Sequence, residues 1–256
     1  MKTSDKQELA KKVRQYSIKM VYNANSGHIG GSLSIADILV GLYFGAKGEQ
    51  DKVVLSKGHA SPALYATLAL KGKFKEEELM TFRKLGSRLQ GHPKLNTEIG
   101  IDMSTGSLGQ GVSAACGMAI ADREIQVWTI LGDGECQEGQ VWESFLFANQ
   151  YCLSNLCIII DNNHLQISGK TCDCVSVEPL ADKVKTFGFN TIEIDGHNFE
   201  EIDKALEAAK KEKNRPTAII AKTIKGKGVS FMENNAEWHG TPPKEEQYEL
   251  AMKELA

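Results

Sequence analysis

The sequence predicts an α/β fold, a doubly wound parallel sheet with helices on both faces, as a single domain over residues 1–256. Three observations predict it. Val127-Trp128-Thr129-Ile130-Leu131 and Leu156-Cys157-Ile158-Ile159-Ile160 are unbroken apolar runs, the pattern of strands buried on both faces. Helical patterns alternate with such runs, which fits parallel strands joined by crossover helices. Ile202, Ala205, Leu206 and Ala209 recur at i, i+3, i+4 and i+7, the stripe of a helix covering a sheet.

In chain order, Ser4 with Gln7 predicts a capping box opening a helix that carries Leu9, Val13, Tyr16 and Met20 to about Tyr22. A glycine-dense loop is expected over 25–34, a helix over 35–44 and a short strand at Val53-Val54-Leu55. Helices are expected over 62–71 and 75–85, then a long loop over 86–106, a length that marks function or disorder. The alanine-rich stretch 109–123 and the stretch 137–151 read as helices around the strand Val127–Leu131. Strands are also expected at Thr191–Ile194 and Thr217–Ala221, with Asn198 and Glu201 capping the helix between them. Residues 225–244 are expected to fold over the sheet edge, and 244–255 to form a last helix.

Composition excludes several functions. The 41% hydrophobic and 25% charged content is that of a soluble globular chain. A net charge of -3 supplies no basic field for nucleic acid. No apolar run approaches the roughly 18 residues that span a bilayer. The polar start, Met1 to Lys12, lacks a signal core, so the six cysteines are expected reduced and the location cytoplasmic.

Chemistry concentrates at two strand ends. Gly132-Asp133-Gly134 follows one strand and Asp161-Asn162-Asn163 the next, with room for one crossover helix between them. Ligands of open α/β sheets bind outside the carboxyl ends of strands. Asp133 and Asn163 offer a carboxylate and an amide oxygen, donors for a hard divalent cation that takes its other ligands from phosphate. Gly134 permits close backbone approach to that phosphate.

Five of the six histidines adjoin a glycine: His28, His59, His92, His197 and His239. Glycine lets an imidazole project from a tight loop, and such a set suits hydrogen bonds to sugar hydroxyls and proton transfer near neutral pH. The spacings leave a zinc site open as the competing reading.

The Gly-Asp-Gly and Asn-Asn pair resembles the signature of thiamine-diphosphate enzymes. Ser26-Gly27-His28, Ser56-Lys57-Gly58-His59-Ala60-Ser61, Gln90-Gly91-His92-Pro93, Gly106-Ser107-Leu108-Gly109-Gln110-Gly111, Asp195-Gly196-His197 and Trp238-His239-Gly240 resemble transketolase motifs, in the transketolase order. The resemblance implies that Asp133, Asn163 and the Leu165 carbonyl hold Mg²⁺ (or Ca²⁺ or Mn²⁺) against thiamine diphosphate. It implies that His28, His59, His92 and His239 are catalytic. His59 and His239 also face the cofactor, with Gly106, Ser107, Leu108, Gly134 and Lys225. Glu138 resembles a buried glutamate that couples two cofactor sites across an interface. Ile29, Thr241 and Asn162 depart from residues common in the family and bear on substrate preference more than on the cofactor. The family's proton-relaying glutamate lies on a pyrimidine-binding domain that this sequence lacks. The resemblance therefore implies a separate partner subunit carrying the pyrimidine-binding and C-terminal domains, a heterotetramer, and sugar-phosphate substrates. The competing family readings are the α-type subunit of a 2-oxo-acid dehydrogenase, a deoxyxylulose-phosphate-type synthase subunit, and a silent regulatory subunit.

Overall fold

The computed structural model describes all residues, Met1–Ala256. Helices α1 (Thr3–Ala24), α2 (Gly30–Ser34) and α3 (Ala36–Gly41) precede strand β1 (Lys52–Leu55) and helix α4 (Ser61–Leu70). Helix α5 (Gln110–Ala121) leads to β2 (Val127–Gly132), α6 (Gly139–Gln150) and β3 (Leu156–Asn162). A small hairpin, β4 (Leu165–Gln166) and β5 (Gly169–Lys170), is followed by α7 (Thr171–Cys174) and α8 (Leu180–Thr186). The chain ends with β6 (Asn190–Asp195), α9 (Phe199–Lys211), β7 (Thr217–Lys222) and α10 (Glu245–Glu254).

The five long strands form one sheet in the order β1-β2-β3-β7-β6, every pair parallel. Its alternate side chains feed two cores. Trp128, Ile130, Cys157 and Ile159 face a larger cluster with α1, α3, α4 and α9. Val127, Leu131, Ile158 and Ile160 face a smaller one with α5, α6 and α8. Burial on both faces is why β2 and β3 contain no polar alternation. The crossover α6 places Gly132 beside Asp161 in register, so the two polar turns leave adjacent strand ends. No helix is long and apolar enough to cross a membrane.

Several local expectations are corrected. Gly30–Ser34 is helical, not loop, because Ser32 Oγ donates to the His28 carbonyl and the Ser32 and Leu33 N–H groups bond the Ile29 carbonyl, tying the turn from within. The helix expected over 35–44 loosens after Gly41 into a π turn, Leu42–Ala46. Residues 75–85 form only a 3₁₀ turn, Glu76–Thr81, because Arg83 takes a left-handed backbone and its N–H bonds the Leu89 carbonyl. α1 starts at Thr3, and the Asp5 carboxylate rather than Gln7 accepts the flanking Lys2 N–H. α8 and the β4–β5 hairpin were not expected. The segment 225–244 leaves from β7, an interior strand, and brings Lys225 and His239 to the cleft at the carboxyl ends of the strands, not over an edge.

Candidate active site

The carboxyl ends of the strands open into a cleft of about 310 Å³. His28, His59, His92 and His239 line it together with Asp133, Gly134, Asn163 and Leu165. Gly106, Leu108 and Lys225 complete the wall. Every site residue expected from sequence is thus in the cleft except Ser107, which is exposed outside it. His197 is also outside it.

The histidines form a compact cluster. The His28 ring lies 5.5 Å from His59, 5.8 Å from His92 and 5.3 Å from His239, and His59 lies 5.1 Å from His239. Four chain-distant loops supply them, and glycines make the approach possible. Gly106 has φ +146°, and a Cβ there would sit 3.1 Å from the His92 ring. A Cβ on Gly30 would sit 2.9 Å from the Trp238 carbonyl, so Gly30 brings the His239 turn down onto α2.

The cluster holds its imidazoles uncharged. Burial pushes His28 down to about 4, helped by Arg83, His92 and Lys225. Burial and then Lys225 push His239 down to about 3. His59 is driven well below the ordinary range by burial and by Lys57, and His92 falls through burial and Arg83. Such rings can donate and accept hydrogen bonds at neutral pH without carrying a charge into the cleft.

The same cleft also carries a set of oxygen donors. Asp133 is buried, with Oδ1 accepting from Gly134 N at 2.7 Å and Oδ2 from His164 N at 2.5 Å. Burial and the Asp161 carboxylate push its carboxyl up to about 6. Asn163 Oδ1 accepts from Leu165 N at 3.1 Å, and the Leu165 carbonyl accepts from Lys225 Nζ at 3.3 Å. A carboxylate, an amide oxygen and a carbonyl fit a hard divalent cation. A buried carboxylate this poorly compensated is suited to receive one. Lys225, 2% exposed, makes no carboxylate pair and is pushed down to about 8 by burial and by Lys57.

Sequence reasoning missed the support beneath these groups. Asp161 is fully buried and accepts from Lys57 Nζ, Ser34 Oγ, Thr223 Oγ1 and Asn163 Nδ2. Those four donors occupy its lone pairs, so Asp133 and Asn163 rather than Asp161 could hold a cation. Glu135 is buried and accepts from Ser56 Oγ at 2.5 Å, Gly109 N at 2.9 Å and Gly132 N at 3.2 Å. Glu138 is exposed at the cleft rim in this single chain. Lys57 and Asp161 lie within motifs that drew attention, but only the fold reveals that they pair.

A family model described as "Transketolase, thiamine diphosphate binding domain" matches residues 5–256. A 6-deoxy-6-sulfo-D-fructose transketolase subunit from a Clostridium species is 44% identical, with 98% of this chain and 96% of that protein covered. One of the apulose-4-phosphate transketolase subunits of Phocaeicola vulgatus is 39% identical, covering 96% of this chain and 92% of that one. The crystal structure of Campylobacter jejuni transketolase superposes with a TM-score of 0.92 at 36% identity over 100% of this chain. The chain spans only 43% of that longer protein. The histidine loops, the oxygen-donor wall and these likenesses agree: the chain belongs to the transketolase family, as its thiamine-diphosphate-binding domain.

Proposed function

We propose that this chain is one subunit of a two-chain transketolase, moving a two-carbon ketol unit from a ketose phosphate to an aldose phosphate. The observation that carries the reading is the cluster of four uncharged imidazoles lining the same cleft as Asp133, Asn163 and Leu165. Thiamine diphosphate supplies the carbanion chemistry when bound. Asp133, Asn163 and the Leu165 carbonyl would hold its Mg²⁺, or Ca²⁺ or Mn²⁺, and Lys225 would face the diphosphate. His28, His59, His92 and His239 orient substrate hydroxyls and carry protons between oxygens. Gly106 and Leu108 shape the wall against the cofactor rings, and Ser107 is assigned beside them from the family motif.

A partner subunit would carry the pyrimidine-binding domain and the proton-relaying glutamate. The near end-to-end match to two proteins named as transketolase subunits supports that reading. We assign the assembly as a heterotetramer, two of each chain, acting in the cytoplasm. The two relatives are named for a sulfonated and a phosphorylated ketose, so a substrate with an anionic tail fits.

The test is calorimetry of thiamine diphosphate and Mg²⁺ with the assembled enzyme, followed by assay of ketol transfer between sugar phosphates. Saturable binding that requires the metal, with transfer activity, is the expected result. Absence of binding overturns the proposal.

A further inference from the structure

His197 shares the glycine-histidine pattern of the cleft residues but stands behind them, between β6 and α9. Its ring joins two elements. Nδ1 lies 2.7 Å from Asp37 Oδ2 on α3, and Nε2 lies 2.9 Å from Ile224 N, just after β7. A backbone N–H can only donate, so Nε2 accepts and the ring proton sits on Nδ1. Asp37 is itself gripped by both terminal nitrogens of Arg14, whose Nε donates to the Leu33 carbonyl. The side chains of Arg14, Asp37 and His197 are 9%, 8% and 14% exposed.

The other end of this chain of contacts is Lys225. The segment Thr223–Lys225 has left the sheet and belongs to no helix or strand. Thr223 N bonds the Asn162 carbonyl, and Gly226 N bonds the Gly30 carbonyl at 3.0 Å. Between these ties the Ile224 N–H is taken by the His197 imidazole. Lys225 follows at once, with Nζ 3.3 Å from the Leu165 carbonyl and 3.1 Å from His239 Nδ1.

We infer that His197 is a positioning residue for Lys225: the Arg14–Asp37–His197 chain fixes Ile224 and so aims the buried ammonium at the cleft. The inference rests on the reading that Lys225 faces the cofactor diphosphate. Outer partners of ligand-holding groups commonly contribute about 10-fold or more to affinity.

The test titrates thiamine diphosphate with Mg²⁺ into the assembled enzyme by calorimetry. His197→Asn keeps a donor within reach of Asp37 but falls short of Ile224. His197→Gln extends an oxygen to where Nε2 accepts. His197→Phe keeps the ring's bulk and offers no acceptor, which guards against a variant lost to misfolding. His197→Asn and His197→Phe are expected to weaken binding about 10-fold. His197→Gln is expected to stay within about 2-fold of wild type, and His197→Asn to add little in a Lys225→Met background. Equal losses in both backgrounds, or wild-type affinity in His197→Asn, overturn the inference while leaving the cofactor site intact. Failure of the wild-type enzyme to bind the cofactor overturns both.

Discussion

Lys225 Nζ lies 3.1 Å from His239 Nδ1, and because an ammonium can only donate, the imidazole accepts there and presents Nε2–H to the cleft. One lysine therefore sets the tautomer of a histidine for which the family resemblance implies a catalytic role. Lys225→Met keeps much of the buried stem and removes the charge. The expected result is thiamine-diphosphate affinity lower by about 10-fold or more. His239 should also titrate at a higher pH, though still below its ordinary range, since burial is the larger cause of its shift. Calorimetry and histidine NMR titration check the two halves.

The four uncharged imidazoles make the fold acid-sensitive. His28 and His239 are held at about 4 and about 3, well below a free histidine. A depressed histidine contributes full stability above about pH 6.5 and loses it as pH falls toward the folded value, because only the unfolded chain takes up protons in that window. Thermal unfolding should therefore move down between about pH 6.5 and 4, by about 2–4 °C for each 1 kcal/mol lost. His239→Gln should flatten this slope. An unchanged slope in that variant would contradict the assignment.

Asp133 has the opposite sign. Its carboxyl is pushed up to about 6, so stability present below about pH 4 is lost as the pH rises through 6. Without metal at pH 7.5, Asp133→Asn should melt no lower than wild type. With Mg²⁺ and thiamine diphosphate, wild type should gain stability by mass action and the variant should not. A thermal-shift comparison with and without both ligands reads the crossing.

Lys57 and Asp161 form an ion pair whose side chains are 1% and 0% exposed. Removing one partner strands the other charge away from water. Lys57→Met is expected to cost about 3–5 kcal/mol in denaturant unfolding. Replacing the exposed Lys222–Glu193 pair, 62% and 50% exposed, should leave the unfolding midpoint close to wild type. Similar losses at the two sites would refute the role given to Asp161.

How much of this was legible beforehand follows the range of the interactions. β2, β3 and β7 announce themselves because a strand buried on both faces must be apolar along its length. Gly132-Asp133-Gly134 and Asn163 were legible because strand ends with polar turns mark the ligand edge of such sheets. The glycines beside His28, His59, His92 and His239 gave away the cluster, since tight turns need them. His197 shares that signature and has another task, which local pattern cannot reveal. The Lys57–Asp161 pair and the Glu135 contacts join residues far apart in the chain, and no local window contains them. Gly30–Ser34 was missed because its serines favour turns until burial and backbone bonds override that preference.

The strand order β1-β2-β3-β7-β6 has a consequence for how the molecule comes into being. β3 carries Asp161 and leads directly into Asn163, yet its second neighbour, β7, is made only after β6 and α9. Until β7 arrives, β3 is an open, apolar edge with a row of unpaired backbone groups. Non-local pairing of this kind is slow and leaves the chain prone to aggregation while it waits. Thr223, which closes over Asp161, follows directly on that last strand. The cleft's wall thus needs the last strand of the chain, and a nascent chain stopped short of β7 holds the apolar edge of β3 uncovered.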